Sequence, residues 1–177
     1  MLEGKKVRKL LLPCTLYLIL CTPSSCKMRY SFSGASIPPE AKTVFIKYFS
    51  NQASIANPTL SQSLTEALKD IFNTQTNLTL TDKNADLNFE GVITAYATAP
   101  VGIQSNDQAA LNRLTITISV KYNNRFDEKK NYETSFSRYA DYPSSKSLSE
   151  VENDPAFMKQ INSQLVQDIF NKALNNW

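Results

Sequence analysis

The 177-residue chain predicts an α+β fold in the order β-α-β-β-β-α. Two periodicities carry this reading. Apolar residues recur at three- and four-residue spacing over 58–74 and 155–175, as on one face of a helix. They alternate over 87–98 and 114–122, as on one face of a strand. Two helices with apolar stripes need a sheet to cover, and the strands supply it.

The first strand is read at 42–49, KTVFIKYF, rich in β-branched and aromatic residues. Val44, Ile46 and Tyr48 share one face and Phe45 and Phe49 the other, so much of both faces is expected to be buried. Asn57-Pro58 starts the first helix, because Asn can cap free amides and Pro at the first helical position loses no donor. Leu60, Leu64, Ala67, Leu68, Ile71 and Phe72 form its apolar stripe, with Gln62, Glu66, Lys69 and Asn73 outside. Residues 78–81 read as a short extended piece. In the second strand Leu87, Phe89, Gly91, Ile93, Ala95 and Ala97 face inward, against Asn88, Glu90, Thr94, Tyr96 and Thr98.

Residues 100–112 read as a turn-forming connection to the clearest strand, where Leu114, Ile116, Ile118, Val120 and Tyr122 alternate with polar residues. A charged loop over 123–130 leads to a return strand at 131–140, with Tyr132, Thr134 and Phe136 inward, making an antiparallel pair. After a loop at 141–147, Ser147 and Glu150 have capping-box spacing and Asp154-Pro155 offers a second start. A turn of helix near Leu148 and a main helix over 155–175 follow. Phe157, Ile161, Leu165, Ile169 and Ala173, widened by Met158, Val166, Phe170 and Leu174, make a stripe broad enough to be substantially covered. Both helices contain Asp-Ile-Phe-Asn, at 70–73 and 168–171. An internal duplication would explain the repeat; so would two helices resting on one sheet.

The start of the chain bears on location. Lys5, Lys6, Arg8 and Lys9 precede an apolar run, and small residues precede Cys26, which is the pattern of a secretory signal peptide. The run is shorter than the roughly 20 residues that span a bilayer, and Pro13 interrupts it. Ser24 and Ser25 before Cys26 resemble a lipoprotein cleavage box, although Pro23 stands where Leu is usual. The reading is therefore residues 1–25 as signal peptide, 26–41 as a lipidated tether and 42–177 as the folded domain, with acylation (palmitate among the chains) at Cys26. The competing reading is an ordinary secreted protein with an incidental cysteine.

Charge and composition exclude several functions. Removing residues 1–25 takes four of the 19 Lys and Arg and one of the 16 Asp and Glu, leaving 15 of each. The remainder is formally neutral, so nothing favours nucleic acid. There is no histidine, which removes the usual proton shuttle and the commonest zinc ligand. With four glycines there is no phosphate-cradling loop. Asp82, Asn84, Asp86 and Asn88 mimic a calcium loop, but Leu87 stands where its Gly should be and Ile93 where its Glu should be. Glu150, Glu152 and Asp154 suit a helix start better than acid/base chemistry. No cofactor, metal or enzymatic activity is expected.

The basic residues Lys121, Arg125, Lys129 and Lys130 gather around one hairpin, with Arg113 at the start of its first strand, and could hold a phosphorylated glycolipid. A solvated hairpin partly balanced by Asp127 and Glu128 is the plainer account. Lys121 and Arg125, with Arg113 at the start of the strand, are the candidate contacts for such a glycolipid.

Five segments, YSFSGASIP at 30–38, NPTLSQSLTEALKD at 57–70, LNRLTITISVKY at 111–122, SFSRYADY at 135–142 and DIFNKALNNW at 168–177, together resemble the LptE family, in its Bacteroidetes form. The resemblance implies two helices packed on a mostly antiparallel four-stranded sheet, a two-layer sandwich. It further implies a lipoprotein anchored in the outer membrane that plugs the β-barrel LptD and helps deliver lipopolysaccharide to the surface. No acidic residue stands close behind Cys26, Glu40 being the one carboxylate of the tether, which favours the periplasmic leaflet. An adaptor lipoprotein of another envelope complex and a small lipoprotein enzyme are the alternatives.

Overall fold

The computed structural model describes residues 37–55, 57–101 and 111–174. The expected signal peptide, Cys26 and most of the expected tether lie outside the described residues. The chain enters through a turn in which the Ala41 amide donates to Pro38 O at 2.9 Å. Strand β1 (Thr43–Ile46) and the two-residue β2 (Ser50–Asn51) lead to helix α1 (Leu60–Gln75). The short β3 (Thr79–Leu80) precedes the long β4 (Leu87–Val101), β5 (Leu111–Asn124) and β6 (Tyr132–Pro143). A short helix α2 (Leu148–Glu152) and the long α3 (Pro155–Leu174) close the fold.

The strands form one mixed sheet in the order β3-β1-β4-β5-β6, with β2 also on β4. This corrects the expected four-stranded, mostly antiparallel sheet with two helices: among the described residues there are six strands and three helices. The reason is connectivity. A helix carries the chain from β1 to β4, and such a crossover brings two strands together in parallel. The tight β5–β6 connection gives antiparallel pairing, and β4 pairs antiparallel with β5 as well. The β-α-β-β-β-α order survives as the frame to which the three short elements are added.

Strands β1, β4 and β6 consequently run in one direction. Helices α1 and α3 each follow one of them and lie on the same face, so the two helices are parallel. Phe72 and Phe170, the equivalent residues of the two Asp-Ile-Phe-Asn segments, meet edge to face with ring centroids 5.1 Å apart. Equivalent places on one sheet account for the repeated motif. An aromatic ladder continues from Phe72 through Phe89 and Tyr122 to Tyr132 at centroid separations of 5.0, 4.8 and 5.3 Å. It ties the helical layer to three strands.

The inward residues of β5 are all buried, as the alternation predicts. Two other strands change phase. Between Ile46 opposite Phe89 and Ser50 opposite Val92, the chain spends four steps against three on β4. That extra residue turns Phe49 into the core and leaves Tyr48 58 % exposed, contrary to the strict alternation expected over 42–49. The exposed turn is held from the helix: the Phe49 amide donates to Thr65 Oγ1 at 3.1 Å, and that hydroxyl donates to Ser61 O at 2.7 Å. In β4 a register shift between Ile93 and Ala95 buries Tyr96 and exposes Ala97, reversing their expected sides. The Tyr96 hydroxyl then donates to Glu152 at 2.6 Å.

Element ends follow local chemistry. Ser147 and Glu150 make the expected capping box, with the Ser147 amide donating to Glu150 Oε2 at 2.6 Å. Asp154 Oδ1 accepts from the amides of Ala156 and Phe157, 2.9 and 3.4 Å away. Asn57 instead closes a turn, accepting from the Thr59 amide at 2.9 Å, so α1 begins at Leu60 rather than Pro58. Strands β4 and β5 also extend through Pro100-Val101 and Leu111-Asn112, and β6 continues through Pro143, in segments expected to be loops.

Candidate functional site

The helices cover one sheet face and leave the other open. On that open face lie two of the residues singled out above. Arg113 and Lys121 are both on β5, eight residues apart, which places them about 26 Å from each other along the strand. They do not form one patch. Arg113 pairs in two-pronged fashion with Asp141 of β6, at 2.6 and 2.9 Å. Its guanidinium also lies 3.7 Å from the centre of the Tyr139 ring. The hydrogen bonds to Asp141 hold the Arg113 pKa up, and those from Arg113 hold the Asp141 carboxyl below its usual range.

Lys121 stands between Glu90 of β4 and Glu133 of β6 in the strand register. Lys47 bridges Glu90 at 3.0 Å, so an alternating row of charges crosses the sheet from β1 to β6. Opposite charges facing across strands support pairing, and a row of this kind has no net charge with which to collect an anion. Arg125 belongs to the hairpin end. Beside it Asp127 caps the turn that contains Lys129 and Lys130, accepting from the Lys129 amide at 3.2 Å.

The acidic leads are structural. Asp86 Oδ2 accepts from the Lys42 and Thr43 amides at 2.9 and 3.0 Å and from the Thr43 hydroxyl at 2.8 Å. These bonds hold its carboxyl below the ordinary range and pin the start of β1 to that of β4. Glu150 and Asp154 cap helices, and Glu152 receives the Tyr96 hydroxyl. Burial, reinforced by Glu152, pushes the Tyr96 pKa strongly upward.

Two concavities escaped the sequence reading. A groove of about 650 Å³ runs between α1 and α3, floored by Leu60, Ala67, Ile71 and Val166. Asn162 lines it too, donating to Ser63 Oγ at 3.0 Å, and its Oδ1 has no partner among the described residues. A second, polar depression of about 610 Å³ sits at the hairpin end around Arg125. Periodicity foretold the buried stripes of both helices but not the space between them. The asparagines at 84, 88, 123, 124 and 131 were the available signal for the second.

Among the described residues, no helix is long and apolar enough to cross a membrane. A search of curated proteins finds no match. Solved structures align with this chain at low identity. Protein XCC0632 from Xanthomonas campestris aligns with a TM-score of 0.51 at 11 % identity, covering 79 % of this chain and 90 % of that one. A minor lipoprotein from Acinetobacter baumannii aligns at 0.47 and 13 % identity, with 75 % and 91 % coverage. The rare lipoprotein B of Shewanella oneidensis aligns at 0.48 and 11 %, with 73 % and 92 % coverage. The model of the LptE family, described as lipopolysaccharide-assembly, matches residues 41–173, which takes in every strand and all but the last residue of α3. The match is to the family as a whole and does not single out the Bacteroidetes form. With three quarters of its length in that match, this chain belongs to the LptE family of lipopolysaccharide-assembly proteins.

Proposed function

We propose that the protein is a non-enzymatic assembly factor that sits within an LptD-type outer-membrane β-barrel and supports lipopolysaccharide delivery through it. The observation that carries the reading is the family match over residues 41–173. The architecture supports it. Strands of 15, 14 and 12 residues present an open face whose centre is small and hydroxylated, with Thr115, Thr117 and Ser119 beside Ser135 and Ser137. Short side chains let another surface approach the sheet closely, and a stable complex of this kind buries of order 1,600 Å² or more. No reactive group is required for that role.

In this reading Cys26 carries the acyl chains, holding the body at the periplasmic leaflet of the outer membrane. Two or more chains make residence effectively stable. Arg113, Lys121 and Arg125 are retained as lipopolysaccharide contacts that act singly, as hydrogen-bond donors rather than as one anion-collecting patch, since Arg113 lies far from the other two. Depleting the protein tests the function. The barrel should accumulate misassembled, surface lipopolysaccharide should fall, and sensitivity to large hydrophobic antibiotics should rise. A normal barrel and normal surface lipopolysaccharide would refute the proposal and leave an adaptor role in another envelope complex as the reading to test.

A further inference from the structure

We propose that the depression at the β5–β6 hairpin end binds a saccharide. Its walls include Asn84, Asn88, Asn123, Arg125, Glu128 and Asn131, and its volume of about 610 Å³ is that of a small-molecule site. The fold presets the asparagines. Asn88 spends its Nδ2 on Ala85 O at 2.9 Å, which leaves Oδ1 to accept. Asn131 spends its Oδ1 on the Asn124 amide at 2.6 Å, which leaves Nδ2 to donate. Asn84, held at a φ of 55° that asparagine tolerates better than most residues, makes no side-chain hydrogen bond among the described residues, and neither does Asn123. Each therefore keeps a donor and an acceptor.

That inventory selects the ligand. A carboxamide offers both a donor and an acceptor, and a sugar hydroxyl needs both. A carboxylate or fully ionised phosphate ester only accepts and would leave the free carboxamide oxygens unpaired, and any such anion would come close to Glu128. One arginine offset by one glutamate is a poor anion trap but suits hydroxyls, which donate to the carboxylate and accept from the guanidinium. An apolar chain would strand the same polar groups without partners. Phe126, next to Arg125 in sequence, has its amide held by Asn124 Oδ1 at 2.9 Å and remains 47 % exposed. The inference goes beyond the barrel proposal and can fail while that proposal stands. The sugar could belong to a glycolipid or to a free glycan.

Saturation-transfer NMR on the full-length protein in mild detergent tests this, using methyl glucoside, N-acetylglucosamine and inorganic phosphate as probes. Saccharide signals should be saturated in the wild type and fall at least fivefold in Asn123→Ala and in Arg125→Gln. Both positions lie outside the core, so thermal melting should be unchanged, and Lys69→Gln, exposed on α1 over the opposite sheet face, should bind normally. Competition by intact lipopolysaccharide and by its lipid-free glycan alike assigns the sugar to a glycolipid; competition by simple saccharides alone assigns it to a free glycan. No transfer to either sugar, transfer that survives both substitutions, or displacement of the sugar by phosphate would overturn the proposal.

Discussion

Gly91→Ala tests the phase change that builds the core near β2. A Cβ at position 91 would lie 2.5 Å from three atoms of the Phe49 ring, nearer than real Cβ contacts come. The ring is fully buried and its backbone is held by Thr65, so it has little room to retreat. Alanine ordinarily improves a strand interior over glycine by about 0.5–1 kcal/mol, whereas overpacking a core costs about 1–3 kcal/mol. The clash should win, for a net loss of about 1–2 kcal/mol. In a domain of this size each 1 kcal/mol lowers Tm by about 2–4 °C, so a fall of about 2–8 °C is expected in a calorimetric melt. Phe49→Leu will also destabilise by itself, but in the double variant the two losses should be less than additive, because the smaller side chain relieves the contact. A Gly91→Ala protein that melts at or above the wild-type temperature, or strict additivity in the double variant, would refute the inward placement of Phe49.

Two further predictions probe the sheet. Ile116→Asp should unfold the domain, since an unpaired buried carboxylate costs several kcal/mol against a total of about 5–15. Thr117→Asp, on the open face, should leave far-UV circular dichroism and the melt nearly unchanged. Asp86 should contribute to acid stability: hydrogen bonding depresses its folded pKa, so its contribution is present above the unfolded value of about 3.9 and is lost as pH falls through the lower folded value. Asp86→Asn should therefore lower Tm at neutral pH and flatten its further decline below about pH 4; an unchanged acid limb would show that these bonds do not matter to folding.

The long elements were legible because each has one covered face. Leu114 to Tyr122 and the stripe from Phe157 to Leu174 declare their period without ambiguity, and the capping box at Ser147 is written in two residues. The phase changes at 47–49 and 93–95 were not legible. A single inserted residue reverses which side faces the core, and the register that shows it belongs to the neighbouring strand. Parallel pairing of β1 was hidden for the same reason, because it depends on where the chain returns after α1. The proposed site residues show a similar limit. Alternation puts Arg113 and Lys121 on one face, but only the extended strand reveals how far apart they stand, and only the pairing with β6 reveals Asp141 and Tyr139 around Arg113. The asparagines of the hairpin end come from three separate stretches of chain, and the start of β4 and the hairpin must pair before they share a wall.

The central claim is association with a barrel. Its most direct test is purification of the tagged full-length protein from outer membranes in mild detergent, with the co-purifying proteins identified by mass spectrometry. The account predicts a stoichiometric LptD-type β-barrel that stays bound through a salt wash, because a large complementary surface rather than exposed ion pairs holds it. Recovery of the protein alone, or with a different envelope complex and no such barrel, would contradict it.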